Sequence, residues 1–193
     1  LCMSFEDFKI KAEKHNPKAA WIVHIGGHIS FEIEKIALYC KQNKIWLIED
    51  CAHAIESKFQ NQHCGTFGDV GCFSFYATKN FAIGEGGMAI TNSEKLATKM
   101  RRLVSHGVTR DQKIMKNKIH GPWYYEQLDL GWNYRLTEFQ AALGLSQMKR
   151  LDDFVEKRNK IALKYDLMLD DLPVKKPLIL KSNKSSFHLY IIR

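Results

Sequence analysis

The chain has 193 residues, 45% of them hydrophobic and 26% charged, a composition that supports a packed core and excludes an intrinsically disordered protein. Net charge is +8, from 29 Lys and Arg against 21 Asp and Glu. This suits an anionic partner, but no zinc finger, RNP pattern or basic heptad helix points to nucleic acid. No apolar run reaches the roughly 18–20 residues of a membrane helix and no secretory leader is visible, so a cytoplasmic protein with no membrane partner is expected.

The first half alternates strand and helix. Trp21-Ile22-Val23-His24-Ile25 is a short apolar run broken by Gly26-Gly27. Ser30 is placed to cap a helix whose Ile33, Ile36, Ala37 and Cys40 recur at i, i+3, i+4, i+7. Ile45-Trp46-Leu47-Ile48 follows, apolar throughout, and ends in Glu49-Asp50. A strand without polar alternation is expected to be buried on both faces, as in a parallel sheet covered by helices. Strand, helix and strand make a βαβ unit, and the fold class is α/β.

Val70 to Tyr76 reads as another buried strand and Met88 to Thr91 as its successor, after Gly84-Glu85-Gly86-Gly87. Ser93 opens a helix with Leu96, Met100 and Leu103 on one side. Residues 106–130 lack periodicity and read as a long loop. Thr137-Glu138-Phe139-Gln140 is a capping box, followed by helical pattern to about Leu172 in two segments. His188 to Ile192 reads as a final strand. The five cysteines form no C-x-x-C, and the spacing of Cys51, His53, His63 and Cys64 matches no common zinc signature. Reduced thiols and no metal are expected.

In open parallel sheets, ligands sit outside the carboxyl ends of the strands. Asp50 closes one apolar strand, and Lys79 follows another just before a glycine-rich turn. An acid that holds a ring nitrogen protonated and a lysine that attacks an aldehyde are the two parts that pyridoxal phosphate chemistry requires. The same residues also read as a helix-capping Asp and a surface Lys. A dinucleotide site is disfavoured because G-x-G-x-x-G is absent. Ser74, flanked by Phe73 and Phe75, is not the nucleophile of G-x-S-x-G.

Four runs in order carry a resemblance: Glu49-Asp50-Cys51-Ala52-His53-Ala54, Gly65-Thr66-Phe67-Gly68-Asp69, Phe73-Ser74-Phe75-Tyr76-Ala77-Thr78-Lys79 and Gly84-Glu85-Gly86-Gly87-Met88. With Gly131-Trp132-Asn133-Tyr134-Arg135-Leu136-Thr137-Glu138 and Gln140-Ala141-Ala142-Leu143-Gly144, the chain resembles the DegT-type sugar-nucleotide aminotransferases. These are fold-type I enzymes with a mainly parallel sheet covered by helices.

The resemblance implies pyridoxal 5'-phosphate as cofactor. Lys79 would be the catalytic amine that joins its aldehyde and shuttles the proton. Asp50 would pair with the ring nitrogen, His53 would stand near the phenolic oxygen, and Ser74 would donate to the phosphate. Asn133 would reach the phosphate in a partner subunit, which implies a homodimer with shared sites.

Gly121 to Gly131 and Leu143 to Leu151 look most like the branch that makes pseudaminic acid. That branch moves an amino group from glutamate to the 4-keto group of a UDP-linked 6-deoxy sugar. Another nucleotide-linked 3- or 4-keto sugar is the alternative substrate, and a non-catalytic regulatory protein or inactive fragment the alternative function.

Between Glu94 and Lys118, eight Lys and Arg face two acids, and Arg101, Arg102 and Arg110 are expected to attract the nucleotide diphosphate. Complete members of the family are longer. Residues 1–135 would then be part of the large cofactor domain, and residues 136–193 the connecting helices and the start of a small C-terminal α/β domain. On its own the segment is expected to be poorly soluble and to bind cofactor weakly or not at all.

Overall fold

The computed structural model describes residues 1–117 and 120–193; Lys118, the end of the basic stretch, lies outside them. The chain divides into two compact units, residues 1–91 with 138–193, and residues 92–137. In the first unit, α1 (Phe5–His15), β1 (Ala19–Val23), α2 (Ile33–Gln42) and β2 (Trp46–Asp50) come in succession. The short strands β3 (Lys58–Phe59) and β4 (Gln62–His63) follow, then β5 (Val70–Ser74) and β6 (Gly87–Ile90). The main sheet runs β1-β2-β5-β6. Its first three strands are parallel, and β6 returns antiparallel to β5.

The helix predicted after Gly27 forms because Ile33, Ile36 and Cys40 fall on one side and are buried. It begins three residues after Ser30, whose hydroxyl instead donates to the Met3 carbonyl at 2.8 Å. Under the sheet, Ile22 and Leu47 pack with Phe8, Ile33, Ile36 and Cys40 into the main core. Each such side chain contributes about 1.5–3 kcal/mol by leaving water.

Burial of β2 on both faces is not what the structure shows. Leu47 and Glu49 are buried, but Trp46 on the opposite face is 54% exposed, and so is Trp21 at 57%. Register explains the contrast. Ala19 pairs with Trp46, Trp21 with Ile48, and Val23 with Asp50, so all six share one face. The core cluster with α1 and α2 closes only the other face.

The second unit holds α3 (Glu94–Val104), β7 (Val108–Thr109) and β8 (Glu126–Gln127). Ser93 caps α3 as expected, its hydroxyl accepting the Leu96 amide at 3.4 Å. Residues 106–130 contain an antiparallel β7–β8 pair that two-residue strands leave invisible to periodicity. Buried Glu126 organises it, accepting the amides of Lys116 and Asn117 at 2.6 and 2.7 Å and the Tyr124 hydroxyl at 3.1 Å. Arg102 is engaged by Asp129 at 2.5 Å, so the basic stretch is not uniformly available to an anion.

The chain returns to the first unit with α4 (Glu138–Met148), α5 (Leu151–Met168) and β9 (Asn183–Lys184). The two helices match the two predicted segments. Leu151 and Val155, one turn apart, close a second core cluster over Phe75, Phe81 and Ile83. β9 pairs with β3, whereas the strand expected at 188–192 does not form. Phe187 adopts φ 42°, which breaks an extended run, and Leu189 donates singly to the Gly26 carbonyl at 3.2 Å. Among the described residues, no helix is long and apolar enough to cross a membrane.

Candidate active site

Asp50 is the last residue of β2 and Ser74 the last of β5. Asp50 pairs with Cys72, so Ser74, two residues on, shares the face of Asp50 at the carboxyl ends of the parallel strands. One Asp50 oxygen accepts the Ala52 amide at 3.0 Å, and the other receives the Trp21 indole N–H at 3.4 Å. Ser74 Oγ accepts the Tyr76 amide at 3.4 Å. Lys79 sits in the turn after β5, its amide donating to the Tyr76 carbonyl at 2.9 Å. It is half-buried.

His53 follows β2, and its Nδ1 accepts the Gly26 amide at 3.3 Å. Burial lowers its pKa, the Lys79 charge lowers it further, and the Asp50 carboxylate opposes both. One imidazole thus feels both the amine and the acid. A wide depression of about 480 Å³ opens beside Lys79, lined by Asn80, Gln147, Phe154, Lys157 and Arg158 among others. Its charged lining groups are all cationic, which favours an anionic ligand.

The predicted residues divide between the two units. Asp50, His53, Ser74 and Lys79 belong to the first. Asn133 belongs to the second, where it is exposed and forms an isolated bridge with Ser105.

Sequence reasoning missed two features of the site. Glu49 is fully buried, and its carboxylate accepts the amides of Gly65, Phe67 and Gly68 at 2.7, 2.7 and 2.6 Å. His24 Nε2 joins it at 2.9 Å. Burial opposes charge on His24, but contacts with Cys51 and Glu49 outweigh it and push the pKa up to about 9. The Cys51 pKa is itself driven upward, by a hydrogen bond to the free Cys64 thiol first and by burial second, so it stays a thiol. This network pins the end of β2 and the 65–68 loop on the side of the sheet opposite Asp50.

The second feature is the segment Ser185 to His188, which local pattern could not associate with Lys79. Ser186 Oγ donates to the His53 carbonyl at 3.0 Å, and the His188 ring lies 4.3 Å from that of His53. Gly26-Gly27 serves this approach. Gly27 has φ 93°, and a Cβ there would stand 2.5 Å from Ser186 Oγ.

The donor set fits pyridoxal phosphate: an amine, a carboxylate, an imidazole and a hydroxyl gathered at parallel strand ends. The sequence model of the DegT/DnrJ/EryC1/StrS aminotransferase family matches residues 1–193. The chain belongs to that family. Enzymes of the DegT family are pyridoxal phosphate-dependent.

Among its relatives, the UDP-4-amino-4,6-dideoxy-N-acetyl-beta-L-altrosamine transaminase of Helicobacter pylori is 38% identical over 84% of this chain and 41% of its own. The GDP-perosamine synthase of Vibrio cholerae is 36% identical over 98% of this chain and 47% of its own. The solved structure of Helicobacter pylori PseC, an aminotransferase of pseudaminic acid biosynthesis, superposes with a TM-score of 0.79 at 38% identity. It covers 91% of this chain and 45% of that one. The chain thus spans about half the length of the relatives it matches. The α/β class with a mainly parallel sheet stands as expected.

Proposed function

We propose that the protein carrying this chain is a pyridoxal 5'-phosphate-dependent aminotransferase that moves an amino group from glutamate to the 4-keto group of a UDP-linked 4-keto-6-deoxy sugar. Its product would feed surface-polysaccharide or flagellin-glycan synthesis in the cytoplasm. The observation that carries this reading is the placement of Asp50 at the end of β2 and of Lys79 in the turn after the neighbouring parallel strand β5, in a chain of the DegT family.

Bound there, pyridoxal phosphate supplies an aldehyde for amino exchange and a ring that spreads the electron pair left when the substrate's proton departs. Lys79 Nζ would be the amine that binds the cofactor's aldehyde and carries the proton. The Asp50 carboxylate keeps the ring nitrogen protonated, with its own position set by the Ala52 amide. His53 would stand by the phenolic oxygen and Ser74 Oγ would donate to the phosphate. Asn133 would reach the phosphate of the cofactor bound by a partner subunit in a homodimer. Residues 1–135 belong to the large domain, and 136–193 lead into the small one.

Relatives named for UDP- and GDP-sugars support a nucleotide-sugar substrate, and similarity to the Helicobacter pylori transaminase favours UDP. The test is to incubate the intact protein with glutamate and UDP-, GDP- or dTDP-linked 4-keto-6-deoxy sugars and to measure 2-oxoglutarate and the amino sugar. Amination of the UDP sugar at the highest kcat/KM is expected. Preference for another nucleotide corrects the substrate, and no amination of any keto sugar overturns the proposal.

A further inference from the structure

Two imidazoles from distant parts of the chain lie together in the Lys79 site, and their hydrogen bonds fix them in opposite tautomers. Asn80 Nδ2 donates to the Ser186 carbonyl at 2.9 Å, which orients the amide. The Asn80 oxygen therefore meets His188 Nδ1, at 3.1 Å, and an amide oxygen can only accept. Nδ1 of His188 carries the proton. Burial first, then the nearby His53, Lys79 and Arg158, push the His188 pKa down to about 4, so at neutral pH the ring holds one proton and Nε2 is bare. His53 is the converse. Its Nδ1 faces the Gly26 N–H, which can only donate, and its pKa is also lowered, so its proton is on Nε2.

The segment carrying His188 is tied down to hold this position. Phe187 keeps a left-handed φ of 42°, a costly conformation for a bulky residue that persists where surroundings over-determine it. Its amide donates to Ser185 Oγ at 3.0 Å, and Ser185 Oγ in turn donates to the Gly27 carbonyl at 2.9 Å. Arg158 donates to the carbonyls of Phe187 and His188 at 3.1 and 3.4 Å.

We propose that His188 is a substrate-contacting residue of the Lys79 site, its bare Nε2 accepting a hydrogen bond from an N–H or O–H of the substrate beside the N–H donor that His53 presents. This rests on the aminotransferase reading above. The donor of that bond is either the amino group of the amino acid or a hydroxyl of the sugar, and the two half-reactions separate them.

The test uses the intact, cofactor-loaded protein. Nitrogen NMR of the labelled imidazoles is expected to show protonated Nδ1 and bare Nε2 on His188, with the reverse on His53. Addition of glutamate or of a UDP-linked N-acetylhexosamine is expected to move the His188 Nε2 resonance, and the ligand that moves it names the source. His188→Asn keeps a group at the Nδ1 position that can bond Asn80 but removes the Nε2 acceptor, whereas His188→Gln places an oxygen where Nε2 was. The Asn variant is expected to lose roughly tenfold or more in kcat/KM for one half-reaction, with the Gln variant restoring most of it.

A protonated Nε2, a resonance that neither ligand moves, or an Asn variant equal to wild type with Gln impaired would each overturn the proposal in favour of a packing role. Absence of amino transfer by the wild type defeats the aminotransferase reading instead and leaves the tautomer and titration results to decide on His188.

Discussion

Glu49 and Asp50 are adjacent carboxylates at the end of one strand, and they point to opposite faces of the sheet. Glu49 enters the closed side, where three loop amides and a buried imidazole saturate it. Asp50 lies on the open side, half-buried, with one amide at 3.0 Å and a long contact to an indole. A fully bonded buried carboxylate can do nothing but hold the fold, and its removal strands its partners. A partly bonded carboxylate at a strand end keeps capacity for a ligand. Two residues of the same chemistry thus divide structure from function by the period-two alternation of a strand.

Substitution of each neighbour in turn separates the two roles. Glu49→Gln replaces an oxygen with a donor that faces loop amides and leaves the His24 charge unbalanced, so the urea midpoint of the folded protein should report a loss of about 3–5 kcal/mol. Asp50→Asn retains an acceptor for Ala52 and should change stability by less than about 1 kcal/mol, while steady-state assay shows kcat lower by on the order of 10²–10⁴-fold. A reversal, with Glu49→Gln stable and Asp50→Asn unfolded, would assign the faces the other way round.

The closed face also carries a pH signature. The folded state holds the His24 proton up to about pH 9, whereas an unfolded histidine releases it near 6.5. Between those values the native state binds more protons, so stability falls as pH rises. The contribution is complete below about pH 6.5 and lost above about pH 9. Denaturation curves across that range should show the decline in wild type and a flatter profile in His24→Gln. The smallest effect belongs to the open face. Trp21→Phe removes only the indole bond to Asp50, and thermal unfolding should register about 0.5 kcal/mol or less.

Legibility in the sequence followed the same division. Helix α2 was readable because Ile33, Ile36 and Cys40 repeat with the helical period, and β2 because its run is short and apolar. Apolar content could not tell that Trp46 and Trp21 would face outward while Glu49, a charged residue, would be fully buried. That outcome depends on bonds from residues 65–68 and from His24, which no window of β2 contains. Asp50, His53, Ser74 and Lys79 were found through motifs clustered within thirty residues. His188 stands 108 positions from Asn80, and the expectation of a strand there hid an irregular segment whose bonds run to Gly26, Gly27, His53 and Asn80. Three-dimensional return of the chain, rather than any local pattern, supplies that part of the site.

Whether Lys79 is the amine of a transaminase site is decided by an absorbance spectrum of the intact protein with pyridoxal phosphate. Wild type should show a visible band that glutamate bleaches, and folded Lys79→Ala should show neither the band nor the bleaching. A folded wild type without the band, or a Lys79→Ala variant whose band glutamate still bleaches, would exclude Lys79 as that amine.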